Sequence, residues 1–223
     1  MRNKTSRNET SFKLVLYLFC EGKTEREYIS DIVRALNLSN DIYVRPIALC
    51  SPPASLLTKA LKWRQDNKTL FNSAIQVRSE IWLIFDADNN PNEMKRFQEL
   101  FIQKRKQIET TGFRFAWMAP CFETWPLLHF IPPNKISQEH REVQRTLHQL
   151  MQSYDHDKNP YVDCQGVLSE IPKIKNAIKA AKNWEHTYDL FPDCVLSAPH
   201  YAGIYALLEE LLAFQDDKAN RAE

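Results

Sequence analysis

Residues 81–88 read Ile81-Trp82-Leu83-Ile84-Phe85-Asp86-Ala87-Asp88, an unbroken apolar run that ends in two carboxylates. A run without polar alternation is typical of a strand that is buried on both faces of a parallel sheet. Further strands are predicted over residues 13–20, 42–49 and 113–118, where apolar residues predominate, and segments with helical spacing separate them. We therefore expect an α/β fold with a mostly parallel sheet of about four strands, flanked by helices.

The alternation of strand-like and helix-like segments ends near residue 132, at the proline pair Pro132-Pro133. From there helical periodicity dominates and no strong strand signal remains, while residues 154–160 and 189–200 have the composition of loops. We expect residues 11–131 to form the α/β core. We expect residues 132–223 to form a helical C-terminal region that packs on this core rather than a separate module.

Composition excludes several classes of protein. The chain has 29 Lys+Arg and 28 Asp+Glu, so its net charge is +1 and a nucleic-acid ligand would need a local basic patch. Its 4 Gly form no Gly-rich phosphate loop. Its 5 Cys have no paired spacing, which predicts neither a disulfide framework nor a zinc site and indicates a reducing cytoplasm. The N-terminus lacks the apolar core of a signal peptide, and no apolar run of about 20 residues predicts a membrane span.

Carboxylates follow two of the predicted strands. Glu21 comes directly after the first strand, and Asp86 and Asp88 come after the third. The carboxyl ends of parallel strands share one edge of a sheet, where like charges repel unless a cation or a proton neutralises them. Two Asp suit Mg²⁺, and Glu21 could hold a second metal or act as general acid or base. The alternative is that Asp86 and Asp88 only cap the following helix.

Glu123 and the histidines are less decisive. Glu123 lies in an apolar and aromatic segment, where it would need a cation, a metal or backbone amides, and a role at a helix N-terminus remains equally open. His129 lies among apolar residues and is expected to be a satisfied core histidine. His140 and His148 lie on a charge-rich helix and are expected to be solvated, while His156 could approach the site.

Basic residues near the acids could contact substrate phosphates. Arg105 and Lys106 lie on the helix after the Asp pair, and Lys23 lies just after Glu21. Phosphate steering is one interpretation of these cations, and a solvated basic face is the other.

Three motifs in this order resemble the RloB/AbiLii family. They are Cys20-Glu21-Gly22-Lys23-Thr24-Glu25-x-x-Tyr28, Ile84-Phe85-Asp86-x-Asp88 and Pro120-Cys121-Phe122-Glu123-x-Trp125-x-Leu127-Leu128-His129-Phe130. The resemblance extends to Tyr154-x-x-x-Lys158 and to Ser197-Ala198-Pro199-x-x-x-x-Ile204. The chain departs from the family at Met118-Ala119-Pro120, where the usual sequence is Ser-Asn-Pro.

The resemblance implies a Toprim-like, Rossmann-like domain of the kind that topoisomerases, primases and OLD nucleases share. It also implies a role in bacterial anti-phage or abortive-infection systems, often beside an ATPase. By this resemblance Glu21 matches the Toprim glutamate, and Asp86 and Asp88 match the Asp-x-Asp pair that binds Mg²⁺ or Mn²⁺. Glu123 would support the site or a second metal, and Lys158 would contact the scissile phosphate.

The resulting hypothesis is a cytoplasmic, metal-dependent nuclease that acts on DNA or RNA and has an ATPase partner. One alternative is a nucleotide-sugar transferase that holds a Mn²⁺-diphosphate with Asp-x-Asp, although such an enzyme does not need Glu21. The other is a non-catalytic partner of an ATPase, in which the acids are vestigial or regulatory.

Overall fold

The computed structural model describes residues 12–48, 51–71, 77–87, 91–151, 154, 170–185 and 201–220. The strands are β1 (Leu14–Cys20), β2 (Ile42–Ala48), β3 (Arg78–Asp86), β4 (Phe113–Ala119) and β5 (Tyr201–Ala202). The α-helices are α1 (Lys23–Ala35), α2 (Pro53–Asp66), α3 (Pro91–Thr111), α4 (Thr124–Leu127), α5 (His140–Leu150), α6 (Ile171–Glu185) and α7 (Tyr205–Asn220). Two short 3₁₀ helices cover Lys68–Phe71 and Pro133–Lys135.

The strands form one sheet in the order β2-β1-β3-β4-β5. Strands β1 to β4 are parallel, which confirms the predicted α/β fold. Leu14 lies opposite Arg78 and Cys20 lies opposite Ile84, so β1 and β3 end together at one edge. The fifth strand, β5, runs antiparallel to β4 and was not expected after residue 132. A strand of two residues carries too little periodicity to be recognised in the sequence.

Two apolar layers cover the sheet, and successive residues of β1 point into opposite layers. One layer lies under α2 and α3 and receives Val15, Tyr17 and Phe19 from β1. The other receives Leu16 and Leu18, together with apolar residues of α1 and α4 to α7. Helices from the C-terminal region therefore share one continuous core with α1. Among the helices in the described ranges, none combines the length and the apolar composition that crossing a membrane requires.

An ion-pair network lies at the amino edge of the sheet. Arg78, at the start of β3, pairs with Glu80. Its guanidinium also pairs with the carboxylate of Glu210 on α7, at 3.3 Å. Arg114 of β4 pairs with Glu210, and its guanidinium lies 4.8 Å from the ring centre of Trp82. These contacts hold α7 against the starts of β3 and β4.

A second set of ion pairs lies before β1 and β2. Asp41 pairs with Lys13 and with Lys218 of α7, each at 2.8 Å. Hydrogen bonds from these two lysines lower the pKa of Asp41.

Candidate functional site

Glu21 and Asp86 meet at the carboxyl edge of the sheet. The main-chain N–H of Glu21 donates to the carbonyl oxygen of Ile84 at 2.9 Å, which continues the pairing of β1 with β3 beyond the strand end. In return, the main-chain N–H of Asp86 donates to Oε2 of Glu21 at 3.1 Å. Both carboxylates are half-buried. The structure therefore brings together two of the acids that the sequence placed at strand ends.

Glu25 adds a buried carboxylate that the sequence analysis did not assign to the site. It lies in the first turn of α1, is 3% exposed, and accepts the main-chain N–H of Gly22 at 3.3 Å. Its second oxygen, Oε2, is buried and makes no hydrogen bond to any described residue. Burial, with repulsion from Glu123 and Glu21, raises the pKa of Glu25 to about 7. The available signal was the spacing Glu21-x-x-x-Glu25 across a strand end and a helix start.

Gly22 makes room for this arrangement. A Cβ atom at this position would lie 2.6 Å from Oε2 of Glu25, which is closer than real contacts allow. Its backbone φ of −115° is available to any residue, so glycine is needed for the close approach and not for its conformation. Any larger residue at position 22 would displace the Glu25 carboxylate.

Glu123 is 4% exposed and lies directly before α4, but its side chain makes no capping hydrogen bond to that helix. One partner of its carboxylate is instead the hydroxyl of Tyr154, which donates to Oε1. Burial and the charge of Glu123 raise the pKa of the Tyr154 hydroxyl, so it remains a donor. Tyr154 comes from the C-terminal region, and its place in the motif predicted no particular role for it.

Cys121 and His140 lie beside Glu123. One potential ligand atom from each of these three residues lies within 4.8 Å of the other two. His140, which was expected to be solvated, is half-buried and therefore keeps part of its side chain in contact with solvent. His140, Val143 and Leu147 have helical spacing, so His140 shares the inward face of α5 with two buried residues.

His129 packs with its ring edge against Trp125, as expected for a core histidine. Both ring nitrogens are buried and make no hydrogen bond to the described residues, so the expectation that it is satisfied is wrong. Burial, with a smaller contribution from Lys173, lowers the pKa of His129 to about 4. The ring is therefore neutral at physiological pH. His148, as expected, is exposed.

The cations proposed to contact substrate lie on the surface. Lys23 opens α1 and is exposed. Arg105 forms an exposed ion pair with Glu109 at 2.9 Å, and Lys106 is exposed beside it. Arg105 lies 14 residues after Pro91 on α3, which corresponds to roughly 21 Å along the helix axis. The structure does not bring Arg105 and Lys106 to the acids.

Three candidates lie outside the described residues. They are Asp88, His156 and Lys158. Their roles stay predictions from the sequence.

Fold and site together define an α/β protein with a carboxylate cluster at the carboxyl edge of a parallel sheet. The family model described as RloB-like protein matches residues 16–211, and the chain belongs to this family. This match confirms the family part of the resemblance that the three motifs indicated. Neither a curated protein nor a solved structure matches the chain significantly.

Proposed function

We propose that this chain is a metal-dependent nuclease with a Toprim-type site, which hydrolyses phosphodiester bonds of nucleic acid. The observation that supports this best is the junction of Glu21 and Asp86. The main-chain N–H of Asp86 donates to the Glu21 carboxylate at 3.1 Å, which fixes these acids at the ends of neighbouring parallel strands. Ligands of α/β proteins bind at this edge of the sheet.

The donor set fits a hard divalent cation. The residues gathered at the edge offer carboxylate oxygens, which Mg²⁺ and Mn²⁺ prefer. Oε2 of Glu25 is buried and makes no hydrogen bond within the described ranges, and a nearby cation would compensate for that loss. Glu21, Asp86 and Asp88 would hold the ion, with Glu25 adding negative charge beside them. Burial and repulsion from neighbouring carboxylates raise the pKa of Glu25. This rise indicates that the negative charges at this edge need a cation or a proton to offset them.

In this proposal the side chains have distinct roles. A bound cation would lower the pKa of water and offset charge on the non-bridging phosphate oxygens. Glu21 would transfer a proton as general acid or base. The hydrogen bond from the Asp86 main-chain N–H holds the Glu21 carboxylate in position for that transfer. Lys158 would contact the scissile phosphate, and Lys23, exposed at the start of α1, could contact a neighbouring phosphate.

The biological setting follows from the family. Resemblance to RloB/AbiLii proteins supports an effector in anti-phage or abortive-infection defence that an ATPase partner controls. The net charge of +1 supports such control, because a chain without a strong positive field binds nucleic acid weakly and depends on recruitment.

Labelled DNA and RNA, each incubated with purified protein and Mg²⁺ or Mn²⁺, would test the proposal. We expect cleavage by the natural chain, its loss in Asp86→Asn, and its retention in Glu109→Gln. The control neutralises an exposed acid on α3 that pairs with Arg105. Cleavage that survives Asp86→Asn, or that proceeds unchanged in a chelator, would refute the assignment.

A non-catalytic partner of an ATPase is the second candidate. The raised pKa of Glu25 favours it, because a proton could relieve the repulsion at the edge without any cation. This candidate predicts no cleavage and no heat of Mn²⁺ binding in calorimetry. The transferase alternative predicts instead that Mn²⁺ promotes turnover of a nucleotide sugar.

A further inference from the structure

Cys121, Glu123 and His140 reach one point from two parts of the fold. Cys121 follows β4, Glu123 precedes α4, and His140 begins α5. A potential ligand atom from each lies within 4.8 Å of the others, although 17 residues separate Glu123 from His140. Cys121 and Glu123 are buried and His140 is half-buried, so the group has one side toward solvent.

Outer contacts orient two of these three side chains. The Tyr154 hydroxyl donates to Glu123, and the side-chain amide nitrogen of Gln144 lies 2.8 Å from Nε2 of His140. Metal-binding carboxylates and imidazoles usually have such partners, which set their orientation and basicity. Glu25 adds a second observation, since its Oε2 is buried without a hydrogen bond to the described residues and its carboxylate lies close enough to Glu123 for the two charges to repel.

We propose that Cys121, Glu123 and His140 form a zinc site at the junction of β4, α4 and α5. A thiolate, an imidazole and a carboxylate are the donors that Zn²⁺ takes in proteins, and Mg²⁺ does not take sulfur. Three protein ligands leave the fourth position of a tetrahedral ion open to water or to a substrate atom. The site differs in chemistry from the carboxylate pair Glu21 and Asp86, and it does not depend on the proposed nuclease activity.

The spacing of cysteines did not reveal this site, because zinc motifs are recognised by paired Cys or His residues close together in sequence. Here one cysteine and one glutamate lie together between β4 and α4, and the single histidine comes from α5. On binding, the Cys121 thiol would release its proton to solvent, and the ion would join the end of β4 to the helices that follow. Zinc should therefore raise the melting temperature of the chain.

Cobalt is a suitable probe because it replaces zinc and gives a thiolate-to-metal charge-transfer band in the near ultraviolet. We expect the natural chain to show this band on Co²⁺ titration, zinc to bleach it, and excess Mg²⁺ to leave it unchanged. Cys121→Ala should lose the band. Cys20→Ala is the matched control, since Cys20 is an equally buried free cysteine at the end of β1, and it should keep the band.

Two further variants test the other ligand and its outer partner. His140→Gln should weaken Co²⁺ binding by more than about 100-fold, and Tyr154→Phe by about 10–100-fold, the usual cost of losing an outer contact. Thermal unfolding of each variant in chelator shows whether it is folded. If Cys121→Ala does not fold, the half-buried His140→Gln variant still decides the question.

The proposal is overturned if the natural chain gives no charge-transfer band, if the band survives Cys121→Ala, or if it is lost equally in Cys20→Ala. Unchanged affinity in a folded His140→Gln protein would overturn it too. Glu21→Gln should keep the band, so the two proposals can fail separately. A band without nucleic-acid cleavage leaves the zinc site standing, and cleavage without a band leaves the nuclease standing.

Discussion

The two edges of the sheet surround their carboxylates with opposite kinds of charge. At the amino edge, Arg78 and Arg114 pair with Glu210. Burial and Glu80 raise the pKa of Glu210, but Arg114 opposes that rise. At the carboxyl edge, Glu123 and Glu21 add to the effect of burial and raise the pKa of Glu25 to about 7.

This difference indicates a structural role for the amino edge and a functional role for the carboxyl edge. Opposite charges at the amino edge stabilise the docking of α7 and leave little for a ligand to neutralise. Like charges at the carboxyl edge cost stability in the absence of a ligand, and a cation or a proton lowers that cost. Clusters of this kind, where charged groups perturb one another, are candidates for functional sites.

The largest expected effect comes from removing the proposed acid or base at the carboxyl edge. Glu21→Gln should lower nucleic-acid cleavage by about 10²–10⁴-fold, because an amide cannot exchange a proton. Stability in chelator should hold or rise, since one like charge is gone. Cleavage rates and thermal unfolding of the variant, with Glu109→Gln as control, measure both effects. Natural cleavage rates in Glu21→Gln would remove this residue from the mechanism.

Glu25 should make stability fall as pH rises. Its pKa of about 7 in the folded chain exceeds the ordinary value of 4.5, so its contribution is fully present below about pH 4.5 and is lost as pH rises through 7. Glu25→Gln should remove this loss and exceed the natural chain by about 2–3 kcal/mol at pH 9, with little difference near pH 4.5. Urea unfolding in chelator at both pH values measures this, and parallel pH profiles for the two proteins would contradict it.

Removing an ion pair at the amino edge should change the free energy of unfolding by less than the Glu25 substitution does. Arg114→Ala removes an ion pair to Glu210 and the contact of the guanidinium with Trp82 at 4.8 Å. Because the arginine is partly exposed, we expect a loss of about 1–2 kcal/mol in the free energy of unfolding. Arg105→Ala is the control, since its exposed pair with Glu109 should contribute within about 0.5 kcal/mol. Equal losses in urea unfolding of the two variants would show that the edge network adds nothing.

The smallest effect should come from Lys218, and its pH dependence should have the opposite sign to that of Glu25. Lys218→Ala leaves Asp41 paired with Lys13 and should cost about 0.5 kcal/mol at neutral pH. The pKa of Asp41 is lowered from 3.8, so this contribution is present above that value and is lost as pH falls through the lower folded pKa. Unfolding measured at pH 7 and pH 2 checks this. A cost that persists at pH 2 would assign the effect to packing.

The parallel sheet was predictable because strand-like apolar segments recur along the chain with helical segments between them. Apolar residues predominate in β1 to β4, and β1 is buried at every residue from Leu14 to Cys20. The order of the strands and the pairing of β5 with β4 were not predictable, since they depend on contacts between distant residues. Met118 pairs with Ala202, more than 80 residues later.

The candidate site was predictable only where an acid follows a strand. Glu21 and Asp86 have that position, and the structure joins them. Glu25 was missed because an acid in the first turn of a helix is common on exposed surfaces, and only tertiary packing buries this one. The partial burial of His140 was not predicted because its neighbours on α5 are charged, whereas it follows from the spacing to Val143.

The pairing of β4 with β5 has a consequence for the order in which the chain is made. Met118 and Ala119 lie just before the segment that carries Cys121 and Glu123, and their antiparallel partners are Tyr201 and Ala202. During vectorial synthesis on the ribosome, this edge of β4 stays open until residues 201–220 have emerged from the exit tunnel. A nascent chain therefore cannot complete the sheet beside Cys121 and Glu123 before β5 has been synthesised.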